Sequence, residues 1–340
     1  MKIIAFFNNK GGVGKTSLVY HLAWIYADLG LNVVAADLDP QANLSTIFLE
    51  EDRLEELWPD SRHPDTLLGV IQPILKGTGD IAPPHLEDVE IDGRSVGLLV
   101  GDLGLSAFEG RLSDAWFRCT AADEAAFRAT SAFYRALLAA ARSREAEFVL
   151  VDVGPNLGAI NRAAIIAAHH VVIPLAPDLF SLQGLRNLGP TFRTWRKEWA
   201  ERLKKNPNPE LELPGPEMQP AGYVVMQHAV RLDRPVKSYA RWMERIPTEY
   251  REEVMDAKAE EGMRVENDPD CLASLMHYPS LMSMAMEARK PIFLLRPADG
   301  AIGSHAAAVQ DCYKDFAKLA RRIAERCGVA VPSAGGAPGL

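Results

Sequence analysis

The stretch Asn9-Lys10-Gly11-Gly12-Val13-Gly14-Lys15-Thr16-Ser17 decides the fold of this chain. It follows the apolar run Ile3–Phe7, which is too short for a helix and is typical of a buried strand. It precedes Leu18–Ala27, an apolar-rich stretch of helical length. This order predicts a phosphate-binding loop, because the backbone N–H groups of such a loop converge on one anion at the helix N-terminus. Lys15 is expected to reach the outer phosphates of a nucleotide, and the Thr16 hydroxyl to ligate Mg²⁺.

The rest of the chain alternates buried strands with helices. Near-continuous apolar runs predict further strands at 32–37, 95–100, 147–152, 170–175 and 221–226. Helices are predicted at about 123–142, 158–168, 181–205, 236–245 and 303–327. This alternation predicts an α/β fold with a doubly wound, mostly parallel sheet and helices on both faces. We expect one domain over 1–330 with an insertion at about 50–146, and a disordered Pro-, Gly- and Ala-rich tail at 331–340.

Two acidic motifs follow predicted strands. Asp37 and Asp39 lie one residue apart in Asp37-Leu38-Asp39-Pro40-Gln41-Ala42-Asn43, so on an extended chain both side chains point to the same side. Neighbouring carboxylates need a cation beside them, and Mg²⁺ bound to ATP supplies one. Asp152 closes the strand at 147–152, which is typical of the Walker B aspartate that holds Mg²⁺ directly or through water.

The first motif departs from the plain P-loop, because Lys10 stands directly before Gly11. With this second lysine, the segment resembles the deviant Walker A box of the ParA/MinD family of P-loop ATPases, closest to the ParA (Soj-like) partitioning branch. The resemblance implies that Lys10 reaches the ATP of a partner subunit. The segment 37–43 is similar to the family motif D-x-D-P-Q-x-N, which implies that Asp39 orients the attacking water and Asp37 supports the Mg²⁺ shell.

Other segments extend the resemblance with less specificity. The segment Asp152–Gly158 departs from the family pattern D-x-P-P-S-L-G at two positions, Gly154 and Asn156, so the resemblance implies the metal role of Asp152 but not the geometry of the loop. Met226 and Gln227 end a predicted strand where the family places a polar side chain near adenine. Residues 289–293 are similar to the short strand that precedes the final helix of the family.

The resemblance also implies partners. ParA-like proteins form an ATP-dependent homodimer, bind double-stranded DNA nonspecifically and hydrolyse ATP slowly until an adaptor protein stimulates them. The net charge of −8 does not favour a polyanion, but residues 186–245 carry twelve Lys and Arg against seven Asp and Glu. The candidate DNA contacts are Arg193, Arg196, Lys197, Arg231, Arg234 and Lys237. A solvated basic helix face is the competing explanation.

Composition limits the other function classes. No run of 18 apolar residues and no basic-then-apolar leader are present, so we expect a cytoplasmic protein, associated with the nucleoid if it binds DNA. The four scattered cysteines fit reduced thiols.

A MinD-like ATPase that positions cargo on a membrane or protein scaffold is one alternative, although no Phe or Trp follows the basic stretch 316–324. A metabolic P-loop enzyme is another, and Lys10 and the segment 37–43 count against it.

Overall fold

The structure is a computed structural model that describes residues 1–60, 62–227, 236–276 and 278–332. Within these ranges one sheet contains the strands β1 Lys2–Phe6, β2 Val33–Asp37, β3 Glu87–Ile91, β4 Arg94–Leu99, β5 Phe148–Asp152, β6 His170–Leu175, β7 Gln219–Gln227 and β8 Cys271–Met276. The strand order is β3-β4-β2-β5-β1-β6-β7-β8. Only the β3–β4 pair is antiparallel, so the carboxyl ends of the other strands share one edge.

Helices cover both faces of this sheet. They are α1 Lys15–Asp28, α2 Asn43–Phe48, α3 Glu51–Leu57, α4 Leu67–Lys76, α5 Phe108–Arg118, α6 Glu124–Thr130, α7 Ala132–Ser143, α8 Ala159–Ala167, α9 Leu179–Leu203, α10 Val236–Glu249, α11 Pro279–Ala288 and α12 Ser304–Cys327. Alternate residues of β1 enter two separate cores: Ile3 packs with α4 to α9, and Ile4 packs with α1, α11 and α12. Fully apolar strands are stable here because each face is buried under helices.

The predicted fold class is confirmed, and the six predicted strands lie within one or two residues of their expected bounds. Two strands were missed. The edge strand β3 alternates half-buried with exposed residues instead of forming an apolar run. Strand β8 lies at the opposite edge of the sheet, and half-buried and exposed residues interrupt its apolar pattern. The extent of the single domain and of the insertion stays a prediction, and residues 333–340 of the predicted tail lie outside the described residues.

Two local predictions were wrong. The helix expected at 123–142 is broken at Ser131, whose hydroxyl donates to the carbonyl of Phe127 at 2.8 Å. Residues 289–293 do not form a strand, because Arg289 adopts a left-handed conformation (φ 49°) that ends α11. The N–H of Ile292 then donates to Nε2 of His21 at 3.2 Å and not to a neighbouring strand.

Among the helices described, none has the length and apolar character to cross a membrane.

Candidate nucleotide-binding site

The glycine loop between β1 and α1 has the backbone conformation that a phosphate loop requires. Gly12 and Gly14 adopt φ values of 70° and 83°, in the left-handed region that favours glycine. Gly14 is also the residue that precedes the first turn of α1. The loop opens with Asn8, a fully buried residue whose Oδ1 accepts from the N–H of Lys10 at 2.9 Å and whose Nδ2 donates to Pro174 O at 2.7 Å. The start of the loop is thereby fastened to β6.

Lys15 is folded into the concave side of this loop. Its side chain is 7% exposed, and Nζ donates to the carbonyls of Asn8 at 3.3 Å and Lys10 at 3.4 Å. Burial lowers the pKa of Lys15, and the charges of Asp152 and Asp39 oppose this shift. The ammonium is therefore held among carboxylates at the place where phosphates would enter.

The two strand-ending aspartates lie side by side. Asp37 and Asp152 are register partners on the adjacent parallel strands β2 and β5, and both are fully buried. Burial raises the pKa of Asp37 to about 7. Burial, followed by the charge of Asp37, raises the pKa of Asp152 to about 8. A low-dielectric environment disfavours two neighbouring carboxylates unless a cation neutralises them.

One oxygen atom of each of these two carboxylates is free to bind a cation. Thr16 Oγ1 donates to Asp152 Oδ2 at 2.7 Å, and Ser45 donates to Asp37 Oδ2 from both N and Oγ at 2.8 Å. The Oδ1 atoms of Asp37 and Asp152 are buried without a hydrogen-bond partner. Mg²⁺ is usually held by one or two carboxylates together with substrate phosphates, so this donor set fits that ion. In the described part of the chain, no three His, Cys, Asp or Glu side chains form a metal site by themselves.

Asp39 follows the end of β2 and is 8% exposed. Its Oδ1 accepts from the N–H of Gln41 at 3.0 Å, which fixes the carboxylate against the turn that leads into α2. The loop after β5 lies directly against it, since a Cβ atom placed on Gly154 would be 3.2 Å from Asp39 Oδ1. Asp39 is therefore close to both Lys15 and the loop that follows Asp152.

Lys10 pairs with a residue of its own chain. Its ammonium donates to the carboxylate of Asp178, which also caps α9 by accepting from the N–H of Ser181 at 2.9 Å. Lys10 Nζ lies 5.9 Å from the ring centroid of Phe180, a side chain that is 70% exposed. The sequence did not single out Asp178 for this contact, because 168 residues separate the two.

The other predicted nucleotide contacts lie around the same loop. Val13 is buried, whereas Gly11 and Gly12 are exposed, and Ser17 Oγ lies 3.4 Å from Nδ1 of His21. Met226 approaches the loop, because a Cβ atom on Gly14 would be 3.0 Å from Met226 Cε. Gln227 Nε2 donates to Ser274 Oγ at 2.7 Å. The structure therefore places Met226 beside the phosphate loop and pairs Gln227 with β8, while their contact with adenine stays a prediction.

The predicted DNA contacts are only partly described. Arg193 donates to Glu253 O at 2.6 Å and Arg196 to Met218 O at 3.3 Å, so both side chains are half-buried and bind backbone, whereas Lys197 is exposed. Arg202, another basic residue of α9, is also buried, and its guanidinium lies 4.1 Å from the centroid of the Trp116 ring. Arg231, Arg234 and the side chain of Lys237 lie outside the described residues.

Known proteins are similar to this chain in sequence, and solved structures are similar to it in fold. A family model described as an AAA domain matches residues 1–205. The chromosome partitioning protein ParA of Caulobacter vibrioides is 29% identical over 218 residues, which are 63% of this chain and 68% of that protein. The sporulation initiation inhibitor protein Soj of Bacillus subtilis is 27% identical over 198 residues, which are 58% of this chain and 66% of that protein.

Solved structures match nearly the whole fold. Protein DIP2308 from Corynebacterium diphtheriae has a TM-score of 0.69 and 23% identity, and the match covers 96% of this chain and 98% of that one. The ATP complex of an Asp-to-Ala variant of Cyanothece McdA has a TM-score of 0.62 and 16% identity, with 98% and 99% covered. The family model covers more than half of this chain, and the Walker motifs lie within it. The chain therefore belongs to the ParA family of P-loop ATPases.

Proposed function

We propose that this chain hydrolyses ATP within an ATP-dependent homodimer that binds DNA nonspecifically and partitions or positions DNA or another large cargo. One observation carries the ATPase part: a buried lysine and three aspartates meet at the carboxyl edge of the sheet, beside a glycine loop in the required conformation. The name of the related chromosome partitioning protein ParA supports the partitioning part. An adaptor protein that stimulates hydrolysis, and a location in the cytoplasm on the nucleoid, belong to the same proposal.

Each residue of the site has a distinct task in this proposal. The glycine loop and Lys15 bind and orient the phosphates, which is most of what catalysis of phosphoryl transfer requires. Thr16, Asp152 and Asp37 would hold Mg²⁺, which when bound neutralises the charge that develops on the phosphate oxygens. Asp39 orients the attacking water with its fixed carboxylate. The buried surroundings strengthen these interactions, because charges attract more strongly in a low dielectric than in water.

The surface beside the loop favours a second subunit there. Leu157, Leu179 and Phe180 are 40%, 46% and 70% exposed, and they flank the loop after β5 and the start of α9. Exposed apolar side chains around a polar site are typical of an interaction surface. Lys10 lies beside Phe180, and its ammonium pairs with Asp178. In the proposed dimer Lys10 exchanges this carboxylate for the phosphates of the partner subunit's ATP.

We expect Lys10→Ala to separate ATP binding from dimerisation. Lys15 and the glycine loop still hold ATP within the subunit, whereas the phosphates facing the partner lose a counter-charge. Calorimetry should show ATP affinity within about threefold of the wild type. Light scattering after size exclusion should show a monomer with ATP where the wild type forms a dimer. Lys197→Ala, which removes an exposed lysine of α9, is the matched control and should dimerise. If Lys10→Ala still forms a dimer with ATP, Lys10 is only a surface lysine and has no role in dimerisation.

The DNA part of the proposal predicts a salt-dependent affinity that appears only with ATP. Dimerisation doubles the basic surface that faces DNA. Each DNA phosphate that a Lys or Arg neutralises releases counterions, so the slope of log binding constant against log salt concentration should be about −0.9 per phosphate contact. Arg193 and Arg196 bind backbone carbonyls, so reversing them would disturb the fold. The test therefore reverses Lys197, Arg231, Arg234 and Lys237 to Glu and measures binding of mixed-sequence duplex by gel shift at two salt concentrations.

The expected result is loss of retardation with ATP-driven dimerisation intact. Reversal of Lys314 and Lys318, two exposed lysines of α12, is the control and should leave binding within about twofold of the wild type. Absence of retardation by the wild-type ATP dimer at low salt would exclude DNA and favour a protein scaffold.

A further inference from the structure

A carboxylate from outside the Walker motifs caps the helix that follows the Walker B loop. Glu109, in the first turn of α5, accepts from Ala159 N through Oε1 at 2.6 Å and from Ile160 N through Oε2 at 2.9 Å. These two N–H groups belong to the first turn of α8 and have no partner within their own helix. The charge of Glu109 also matches the positive end of the α8 dipole. Glu109 therefore fixes where α8 begins.

The loop between Asp152 and α8 is shaped around this carboxylate. A Cβ atom on Gly158 would be 2.7 Å from Glu109 Oε1 and 2.8 Å from Asn156 Oδ1. The absence of a side chain at position 158 thus lets Glu109 reach the helix N-terminus. Asn161, in the first turn of α8, donates from Nδ2 to the carbonyls of Gly154 at 2.9 Å and Asn156 at 2.7 Å. The loop is consequently tied to the same helix end that Glu109 holds.

The other end of this loop lies next to Asp39. Gly154 lies against the Asp39 carboxylate, with its would-be Cβ atom 3.2 Å from Oδ1 and 3.5 Å from Asn161 Nδ2. Hydrogen bonds therefore connect Glu109 to the start of α8 and Asn161 to Gly154, and Gly154 lies next to the Asp39 carboxylate. A change in the position of α8 would move the loop against the carboxylate that is proposed to orient water.

Helix α5 holds Glu109 rigidly. Phe108, Leu112 and Trp116 of this helix are at most 2% exposed, and they pack in the core that contains α8. The guanidinium of Arg162, on α8, lies 4.3 Å from the centroid of the Trp116 ring. Two contacts that lie about two turns apart on α5 thus join this helix to the start of α8, so the backbone that carries Glu109 is held in place.

We propose that Glu109 is a positioning residue for ATP hydrolysis, which acts by holding the Walker B loop against Asp39. This inference rests on the proposed ATPase function. Glu109 touches neither the glycine loop nor Lys15, so its removal should slow the hydrolytic step and leave ATP binding unchanged. A displacement of about 1 Å at a reacting group lowers rates by up to about 100-fold, so a loss of tenfold or more is expected for Glu109→Ala.

The experiment measures ATP affinity by calorimetry and the hydrolysis rate by single turnover in four single variants and in the double variant Glu109→Ala/Gly158→Ala. Glu109→Ala removes the cap, and Glu109→Gln keeps one acceptor oxygen and should lose less activity. Gly158→Ala leaves Glu109 in place but pushes its carboxylate away. Asp123→Ala is the matched control, because it removes the carboxylate cap of α6, which accepts from Ala126 N at 3.3 Å, away from the Walker B loop.

The expected pattern is a slower hydrolysis in both Glu109→Ala and Gly158→Ala with ATP affinity within about threefold of the wild type. The double variant should be no slower than Glu109→Ala alone, because both substitutions break the same contact, that of the Glu109 carboxylate with the start of α8. Full activity in Glu109→Ala, or an equal loss in Asp123→Ala, would overturn the inference. A wild type that binds ATP but never hydrolyses it would overturn the proposed function, and the inference with it.

Discussion

Lys15→Ala is expected to abolish measurable ATP binding. The ammonium of Lys15 is the buried cation of the glycine loop, and it faces Asp152 and Asp39. Without it, the outer phosphates would meet these carboxylates with no counter-charge from the loop. Truncating one partner of a buried, hydrogen-bonded charge pair costs roughly 2–5 kcal/mol, so affinity should fall at least about 30-fold.

Calorimetric titration with Mg²⁺ and ATP measures this loss. Lys197→Ala removes a lysine that is exposed on α9 and should bind ATP as the wild type does. Circular dichroism of the Lys15→Ala variant should match that of the wild type, because the side chain makes only two long hydrogen bonds, both to loop carbonyls. If the variant keeps its ATP affinity, the phosphates do not bind in this loop.

Asp39→Ala should stop hydrolysis while ATP still binds. The Asp39 carboxylate is fixed by Gln41 N, whereas the proposed phosphate contacts come from Lys15 and the glycine loop, which the substitution leaves in place. Residues that orient or activate an attacking nucleophile contribute a factor of about 10² to 10⁴, so the rate should fall by at least about 100-fold. ATP that is bound but not hydrolysed should then hold the proposed dimer together.

Phosphate release and size exclusion with ATP test both parts of this expectation. Asp39→Asn is the sharper variant, because its Oδ1 still accepts from Gln41 N and only the charge is lost. It should be about as slow as Asp39→Ala. Normal turnover in either variant would contradict the role of Asp39, and loss of ATP binding in both would show that Asp39 supports the phosphate loop itself.

The local sequence was sufficient to predict the centre of the fold. Strands β2 and β5 are buried on both faces, so they appear as apolar runs whatever their neighbours are, and each ends on an aspartate. The glycine loop carries its backbone requirement in its residue types, since Gly12 and Gly14 adopt φ values that other residues avoid. Strands β3 and β8 form the two edges of the sheet and lack such a signal, because exposed or half-buried residues interrupt each of them.

The sequence by itself thus determined the fold class and named the candidate residues of the proposed phosphate and metal sites, because each lies within a few residues of a strand end. Only the tertiary structure decided which side chains support them. Asn8 reaches β6, Lys10 reaches Asp178, and Glu109 reaches the start of α8 across 50 residues of sequence. Such pairings arise when the sheet brings distant segments to one edge, where a buried polar group binds whatever partner the packing supplies. A sequence motif describes only neighbours along the chain, so it does not contain these contacts.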